Sequence, residues 1–186
     1  MVDMGAVCGR FQVFHNEHLQ YVLAAKAQCR HLLVGITSAD SSVSPAEKED
    51  ANRTQAMANP CSYYERMKMI ESALLEAGLS RDEFDIVPFP IGAPHLLHFY
   101  IPRETCIFLT ILDEWGHRKA QRLQEFGYRA EVLWEKTEKG ISSSMLRQYI
   151  TEEKDWSGFV PPATYRYITE HGIDLRIREG RSPMDK

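Results

Sequence analysis

Gly9-Arg10-Phe11-Gln12-Val13-Phe14-His15-Asn16-Glu17-His18 is the run whose residue types and spacing can do chemistry. It lies directly behind the apolar stretch Ala6-Val7-Cys8 and directly ahead of an amphipathic segment, Leu19 to Cys29. The pattern reads as a strand, a tight turn and a helix that begins near the two histidines. A helix N-terminus leaves its first N–H groups without intrahelical partners and carries the positive end of the helix dipole, which makes it a site for phosphate. His15 and His18 are three positions apart, so on a first turn they share a face and reach the same anion. Gly9 lets the backbone bend and a ligand come close, and Arg10 adds a planar, permanently charged fork suited to phosphate. An isolated H-x-x-H is more often a pair of surface histidines on an ordinary turn, so the reading depends on what accompanies it.

A second run accompanies it: Lys139-Gly140-Ile141-Ser142-Ser143-Ser144-Met145-Leu146-Arg147. A serine triplet at a helix start supplies hydroxyls and N–H groups. Arg147, about one turn further on, lies on the side where a bound phosphate would sit. Alone, this is a serine N-cap with an exposed arginine.

The elements that must position these residues follow from the apolar patterning. His31 to Thr37 is a nearly continuous apolar run of the kind found in buried parallel strands. Ser62 and Glu65 form a capping box that opens a helix to about Ala77, with Gly78 as its stop. Phe84 to Phe89 reads as a third strand and Arg129 to Trp134 as a fifth. Between them Thr105 to Leu112, the most apolar run, reads as a fourth and central strand. A helix from His117 to Phe126 ends at Gly127. Ser142 to Thr151 and Pro162 to His171 are helical, the latter closed by Gly172, and Gly180 to Lys186 has the look of a disordered tail. Ile91 to Arg103 reads as a loop, and the polar stretch Ser38 to Asn59 as a mobile loop or lid.

Strand–helix alternation predicts an α/β fold: a Rossmann-like, doubly wound, five-stranded parallel sheet with helices on both faces and a small helical C-terminal portion. The expected division is a sheet domain over residues 1–150, a helical extension over 151–175 and a tail over 176–186. In such sheets ligands bind beyond the carboxyl ends of the strands, where the strand order reverses. Gly9 to His18, the loop after Thr37, Asp113 to Trp115 and the loop before Ser142 are all expected on that edge.

Composition narrows the function. A formal net charge of -4 gives no global pull toward nucleic acid or an anionic membrane, so any anion site is local. No apolar run approaches a membrane span, and an N-terminus with Asp3 and no basic stretch does not read as a secretory signal. Cys8, Cys29, Cys61 and Cys106 are scattered without a C-x-x-C pair, which speaks against a zinc knuckle or redox motif and for a reducing, cytoplasmic setting. His95 and His98 share a loop with no nearby Cys or acid, a poor metal pair. No metal-ligating residues are expected.

Taken together, the two runs resemble the H-x-G-H nucleotidyltransferase superfamily, and most of all its archaeal-type nicotinamide mononucleotide adenylyltransferases. Gly9 to His18 matches the family's G-R-F-Q-P-x-H-x-G-H, and Asn59 to Arg66 matches N-P-F-[ST]-x-x-E-R. Ile141 to Arg147 matches I-S-[AS]-T-x-[IL]-R, and Val160-Pro161 stands for the V-P pair of a helix-rich tail. The resemblance implies transfer of AMP from ATP to nicotinamide or nicotinate mononucleotide, with release of pyrophosphate, a step of NAD biosynthesis. The acceptor phosphate attacks the α-phosphorus in line, while the protein supplies positioning and charge stabilisation. His15, His18 and Arg147 would be the catalytic residues. Gly9, Arg10, Phe11, Gln12, Ser142, Ser143 and Ser144, with Asp113 and Trp115, would bind the nucleotide. The resemblance further implies Mg²⁺ held by the phosphates and water, small-molecule nucleotides as partners, and a homo-oligomer.

The chain departs from that pattern at several points. Glu17 replaces the family's second motif glycine and Val13 its proline. Pro90 to His95 replaces the nicotinamide-contacting region, Thr110 to Gly116 replaces the T-G-N turn, and Ser38 to Ala58 is longer than usual. These departures leave room for a cytidylyltransferase or another nucleotidyltransferase with a different phosphorylated acceptor. A non-catalytic nucleotide-binding protein is the third reading, and the full set of His15, His18, Ser142, Ser144 and Arg147 argues against it. Trp115 suits stacking on a base or packing under the next helix equally well, and Asp113 can read a ribose or base. Lys136 and Lys139 can touch phosphate or stand in solvent, and Arg66 can approach phosphate or pair with Glu65 or Glu71. On the sequence alone, Glu17→Gly is expected to leave activity intact or raise it, as steady-state pyrophosphate release would record.

Overall fold

Strands buried on both faces need apolar residues at successive positions, and such runs form the middle of a five-stranded sheet in the first of two compact units. The computed structural model describes residues 1–39, 58–111, 114–135 and 140–183. The first unit comprises residues 1–10, 20–38 and 80–140, and the second residues 11–19, 39–79 and 141–186.

In the first unit, β1 (Val2–Gly9), β2 (Cys29–Ile36), β3 (Phe84–Pro88), β4 (Cys106–Ile111) and β5 (Arg129–Glu135) form one parallel sheet in the order β3-β2-β1-β4-β5. This is the expected α/β, Rossmann-like fold. The centre is β1, however, and not the Thr105–Leu112 run. Apolarity reports burial on both faces, which β1 and β4 share; only the pairing of Ala6 with both Leu33 and Ile107 reveals which strand lies between the others. The strand order therefore reverses at β1, and Gly9 sits at its carboxyl end, with its C=O accepting the Thr37 N–H at 2.9 Å.

Side chains alternate across the sheet. Ala6, Cys8, Leu33, Ile107 and Leu109 share one core cluster with Phe89, Leu97, Leu123 and Tyr128. The intervening Val7, Leu32, Val34 and Phe108 are buried as well. Helix α1 (Asn16–Lys26) starts in the second unit and ends in the first, where the Tyr21 hydroxyl donates to the Phe108 C=O at 2.5 Å. A further helix, Glu114–Glu125, packs on β4 and β5. Pro94–Phe99, read from the sequence as loop, is a 3-10 segment that buries Leu97. No helix among the described residues is long and apolar enough to cross a membrane.

The second unit is helical. In chain order α2 is Tyr63–Glu76 and α3 is the Glu114–Glu125 helix of the first unit; α4 (Ser143–Thr151), α5 (Pro162–Glu170) and α6 (Ile173–Arg178) follow. The Ser62–Glu65 capping box on α2 is present as expected. The Glu76 carboxylate accepts from the Ala163 N–H and from Arg166, both at 2.7 Å, and so joins α2 to α5. A tail beginning at residue 176 is corrected: Gly172, at φ 63°, turns the chain from α5 into α6. Ile173 and Ile177 are buried, and Arg176 donates to the Pro60 C=O at 3.0 Å and to Glu65 at 2.9 Å. A helix this short carries too little periodicity to stand out in the sequence; its partners hold it. Residues 40–57, the greater part of the expected lid, lie outside the described residues.

Gly35 in β2 shows how tightly the first unit is packed. A Cβ added there would lie 2.8 Å from the Phe89 Cβ. Gly35→Ala is expected to destabilise the protein by about 1–3 kcal/mol through overpacking. Urea denaturation checks this as a lower midpoint with an unchanged slope.

Candidate active site

The turn that follows β1 is held from several sides within the second unit. Phe11 adopts the left-handed conformation, φ 53°, with its ring buried. A non-glycine residue stays there only when its surroundings over-determine it. Gln12, also buried, supplies part of that constraint: Nε2 donates to the Cys61 C=O at 2.8 Å, and Oε1 accepts the Cys61 N–H at 2.9 Å. Burial pushes the Cys61 thiol up to about 12, so this cysteine is inert packing and not a nucleophile.

The second sequence motif closes on the same turn. Arg147 donates through one guanidinium nitrogen to the Gln12 C=O and through another to Ser144 Oγ at 3.3 Å. Ser143 Oγ donates to the Val13 C=O at 3.2 Å. The Glu17 carboxylate accepts the Ile141 N–H at 3.0 Å. Asn16 Nδ2 reaches the Gly158 C=O at 2.9 Å. Ser142 caps α4, its Oγ accepting the Met145 N–H at 3.2 Å.

The two histidines form a stacked pair at the head of α1. The His15 C=O accepts the Leu19 N–H at 3.0 Å, and the His15 N–H donates to His18 Nδ1 at 3.3 Å. The second bond is one half of a capping box, the N3 side chain accepting the N-cap N–H, with an imidazole in place of the usual carboxylate. With Nδ1 accepting, a neutral His18 carries its proton on Nε2. The two rings lie 3.6 Å apart at 20°, and Phe11 meets His18 edge-on at 5.0 Å. Burial, reinforced by the neighbouring charge on His15, holds His18 well below the usual histidine range, and the Val13 carbonyl opposes this only in part. His18 is thus a neutral donor in the physiological range.

Of the residues singled out from the sequence, Phe11, Gln12, His15, His18, Ser142, Ser143, Ser144 and Arg147 all belong to the second unit, where the bonds above connect them. Gly9, Arg10 and Trp115 belong to the first, Trp115 in the opening turn of α3. Asp113, Lys136 and Lys139 lie outside the described residues. Arg66 is buried in α2, with Nε donating to the Ser62 C=O at 3.2 Å. Sequence reasoning missed the Gln12–Cys61 clasp, the Glu17–Ile141 bond and the Asn16–Gly158 bond. Only the first had a signal, in that Gln12 and Asn59-Pro60-Cys61 both fall within recognised motifs.

A cleft of about 400 Å³ opens beside Ser144 and Arg147 and runs past Gln148 and Thr151, with Pro60 and Arg181 also in its lining. The Glu152 carboxylate shares the lining with the two guanidinium groups, and Arg181 is paired with Glu179. Among the described residues no three of His, Cys, Asp and Glu converge as metal ligands. The turn and the start of α4 together carry imidazole, hydroxyl and guanidinium groups, of which Ser144 and Arg147 also line the cleft.

Comparison with known proteins places these features in a family. The cytidylyltransferase-like family model matches residues 6–149. The chain is 44% identical to a phosphonoformate cytidylyltransferase of Streptomyces viridochromogenes over 94% of its own length and 95% of the relative. It is 26% identical to a nicotinamide-nucleotide adenylyltransferase of Saccharolobus solfataricus over 96% of each. Among solved structures, a bifunctional NMN adenylyltransferase/ADP ribose pyrophosphatase from Francisella tularensis shares the fold, with a TM-score of 0.67 at 17% identity. The match covers 96% of this chain and 53% of that one, so the chain spans about half of the bifunctional protein's length.

The lowered His18 pKa has a consequence for stability. Below about pH 6.5 the unfolded chain takes up a proton at His18 that the folded chain refuses, so this contribution is present above that pH and lost as pH falls. Between pH 7.5 and 5.5 the wild-type Tm is expected to drop more than that of His18→Gln. Parallel Tm curves for the two proteins, measured by circular dichroism, would contradict the assignment.

Proposed function

The chain belongs to the cytidylyltransferase-like family, and from that membership we propose cytidylyl transfer from CTP to a small phosphonate or phosphate acceptor, phosphonoformate among them, with release of pyrophosphate. That the chain is a nucleotidyltransferase enzyme follows from the family and its relatives. The observation that carries the chemistry is the stacked His15–His18 pair at the head of α1, bonded through its own turn to the serine-rich start of α4. The choice of base and acceptor is supported by the 44% identity to the cytidylyltransferase over nearly the full length of both chains. The departures at Pro90–His95 and Thr110–Gly116 point the same way, away from a nicotinamide acceptor.

In the reaction an acceptor oxygen attacks the α-phosphorus of the triphosphate in line. The bond to the bridging oxygen breaks, and pyrophosphate departs with the electron pair. His18, neutral and with its proton on Nε2, donates a hydrogen bond to the charge that develops on the transferring group, and His15 shares that task. The N–H groups at the start of α4, with the Ser142 and Ser144 hydroxyls, hold the β and γ phosphates through the helix N-terminus. Arg147 reaches back to Gln12, keeps the two helix starts together and contributes its charge to the same end. Imidazole, hydroxyl and guanidinium donors suit the phosphates, so Mg²⁺ would ride on the triphosphate and neutralise its charge.

Adenylyl transfer to nicotinamide mononucleotide is the second reading, favoured by the relatives at 26–28% identity. Pyrophosphate release with Mg²⁺ separates the two when CTP and ATP are each paired with phosphonoformate, nicotinamide mononucleotide and nicotinate mononucleotide. Turnover is expected with CTP and the phosphonate, and His18→Ala should lower kcat by about 10²–10³. Turnover confined to ATP and a mononucleotide would replace the first reading with the second.

A further inference from the structure

Glu17 stands on the first turn of α1, one residue before His18, and its carboxylate accepts the Ile141 N–H at 3.0 Å. Both residues are half-buried. We propose that Glu17 is a positioning residue: it latches the backbone just outside α4 so that the Ser142–Ser144 turn keeps its place beside the histidine pair and stays open to a triphosphate. The proposal rests on the nucleotidyl-transfer reading above and deepens it.

Three ties join the two motifs, and they do different work. Arg147 and Ser143 bond Gln12 and Val13 from inside α4. Glu17 alone among these three bonds the residue ahead of the Ser142 cap, on the approach to the helix. Fixing Ile141 sets the direction from which the chain enters the cap, and therefore where the N–H groups of Ser143 and Ser144 point. Met145 N–H is already taken by Ser142 Oγ, so the latch leaves the first donors of α4 for an anion. A carboxylate at this place is also compatible with phosphate nearby. It lies on the first turn of α1, where the helix dipole favours negative charge, and it is aimed at a backbone donor. Glycine can provide neither the acceptor nor the reach. The structure thus revises the expectation that Glu17→Gly is harmless.

The test measures Kd for CTP and for ATP, each with Mg²⁺, by isothermal titration calorimetry on wild type, Glu17→Gly and Glu17→Gln. Gln retains an oxygen acceptor of the same reach without the charge, so it separates the hydrogen bond from electrostatic repulsion. Thermal melts accompany each protein, and amide hydrogen exchange follows the segment around Ile141. The expected result is wild-type binding to at least one triphosphate and weakening by about ten- to hundredfold in Glu17→Gly, the range of a hydrogen bond to a charged group. Glu17→Gln is expected to recover most of that loss, and exchange at Ile141 should speed up only in the glycine variant. Equal affinity in wild type and Glu17→Gly overturns the latch while leaving nucleotidyl transfer standing. Glu17→Gln as weak as Glu17→Gly overturns it as well, by assigning the effect to charge. A wild-type protein that binds neither triphosphate overturns the functional reading and this proposal together.

Discussion

The Gln12 side chain meets the backbone of Cys61 with both its amide nitrogen and its oxygen, in a place closed to solvent. A buried polar group without partners is costly, and here the partners are reciprocal: the amide satisfies Cys61 N–H and C=O while Cys61 satisfies the amide. This clasp sets where the chain goes after β1. It anchors Phe11 in a left-handed conformation that the residue would not adopt by itself, and it presents the Gln12 C=O to Arg147. The stacking of His15 on His18, the cap on α1 and the approach of α4 all lie downstream of that geometry.

What the turn then offers is a pair of imidazoles whose chemistry is set by neighbours more than by their own nature. Burial and the adjacent ring keep His18 uncharged, and the His15 N–H selects the tautomer by occupying Nδ1. A neutral donor gains from charge that appears during phosphoryl transfer without a strong hold on the ground state, which is the condition for lowering a barrier. The permanent positive charge comes instead from Arg147, which the structure uses twice, as a brace between turn and helix and as a cation beside the cleft.

The departures from the H-x-G-H pattern fall into two kinds. Glu17 and Val13 lie in the turn after β1, where the Glu17 carboxylate finds the Ile141 N–H and the Val13 side chain is fully buried. Pro90–His95 lies in the first unit just after β3, and Thr110–Gly116 runs from the last residues of β4 into the first turn of α3. Substitution there fits the observation that the chain is much more similar to a cytidylyltransferase than to the adenylyltransferases.

Local and periodic features were legible in the sequence. Apolar patterning marked all five strands, Ser62 with Glu65 marked the cap of α2, and two short motifs marked the starts of α1 and α4. These depend on propensity, burial and neighbouring residues, which a chain states along its own length. The tertiary structure alone decided that β1 is the central strand, that residues 173–178 form a helix held by Arg176, and that Glu17 faces Ile141. Each of these depends on a partner far away in sequence: a strand pairing, an ion pair with Glu65, a backbone N–H 124 positions on. A hydrogen bond needs only one suitable atom at the right distance, and since every residue except proline carries a backbone donor, composition and spacing cannot say which one a carboxylate will meet.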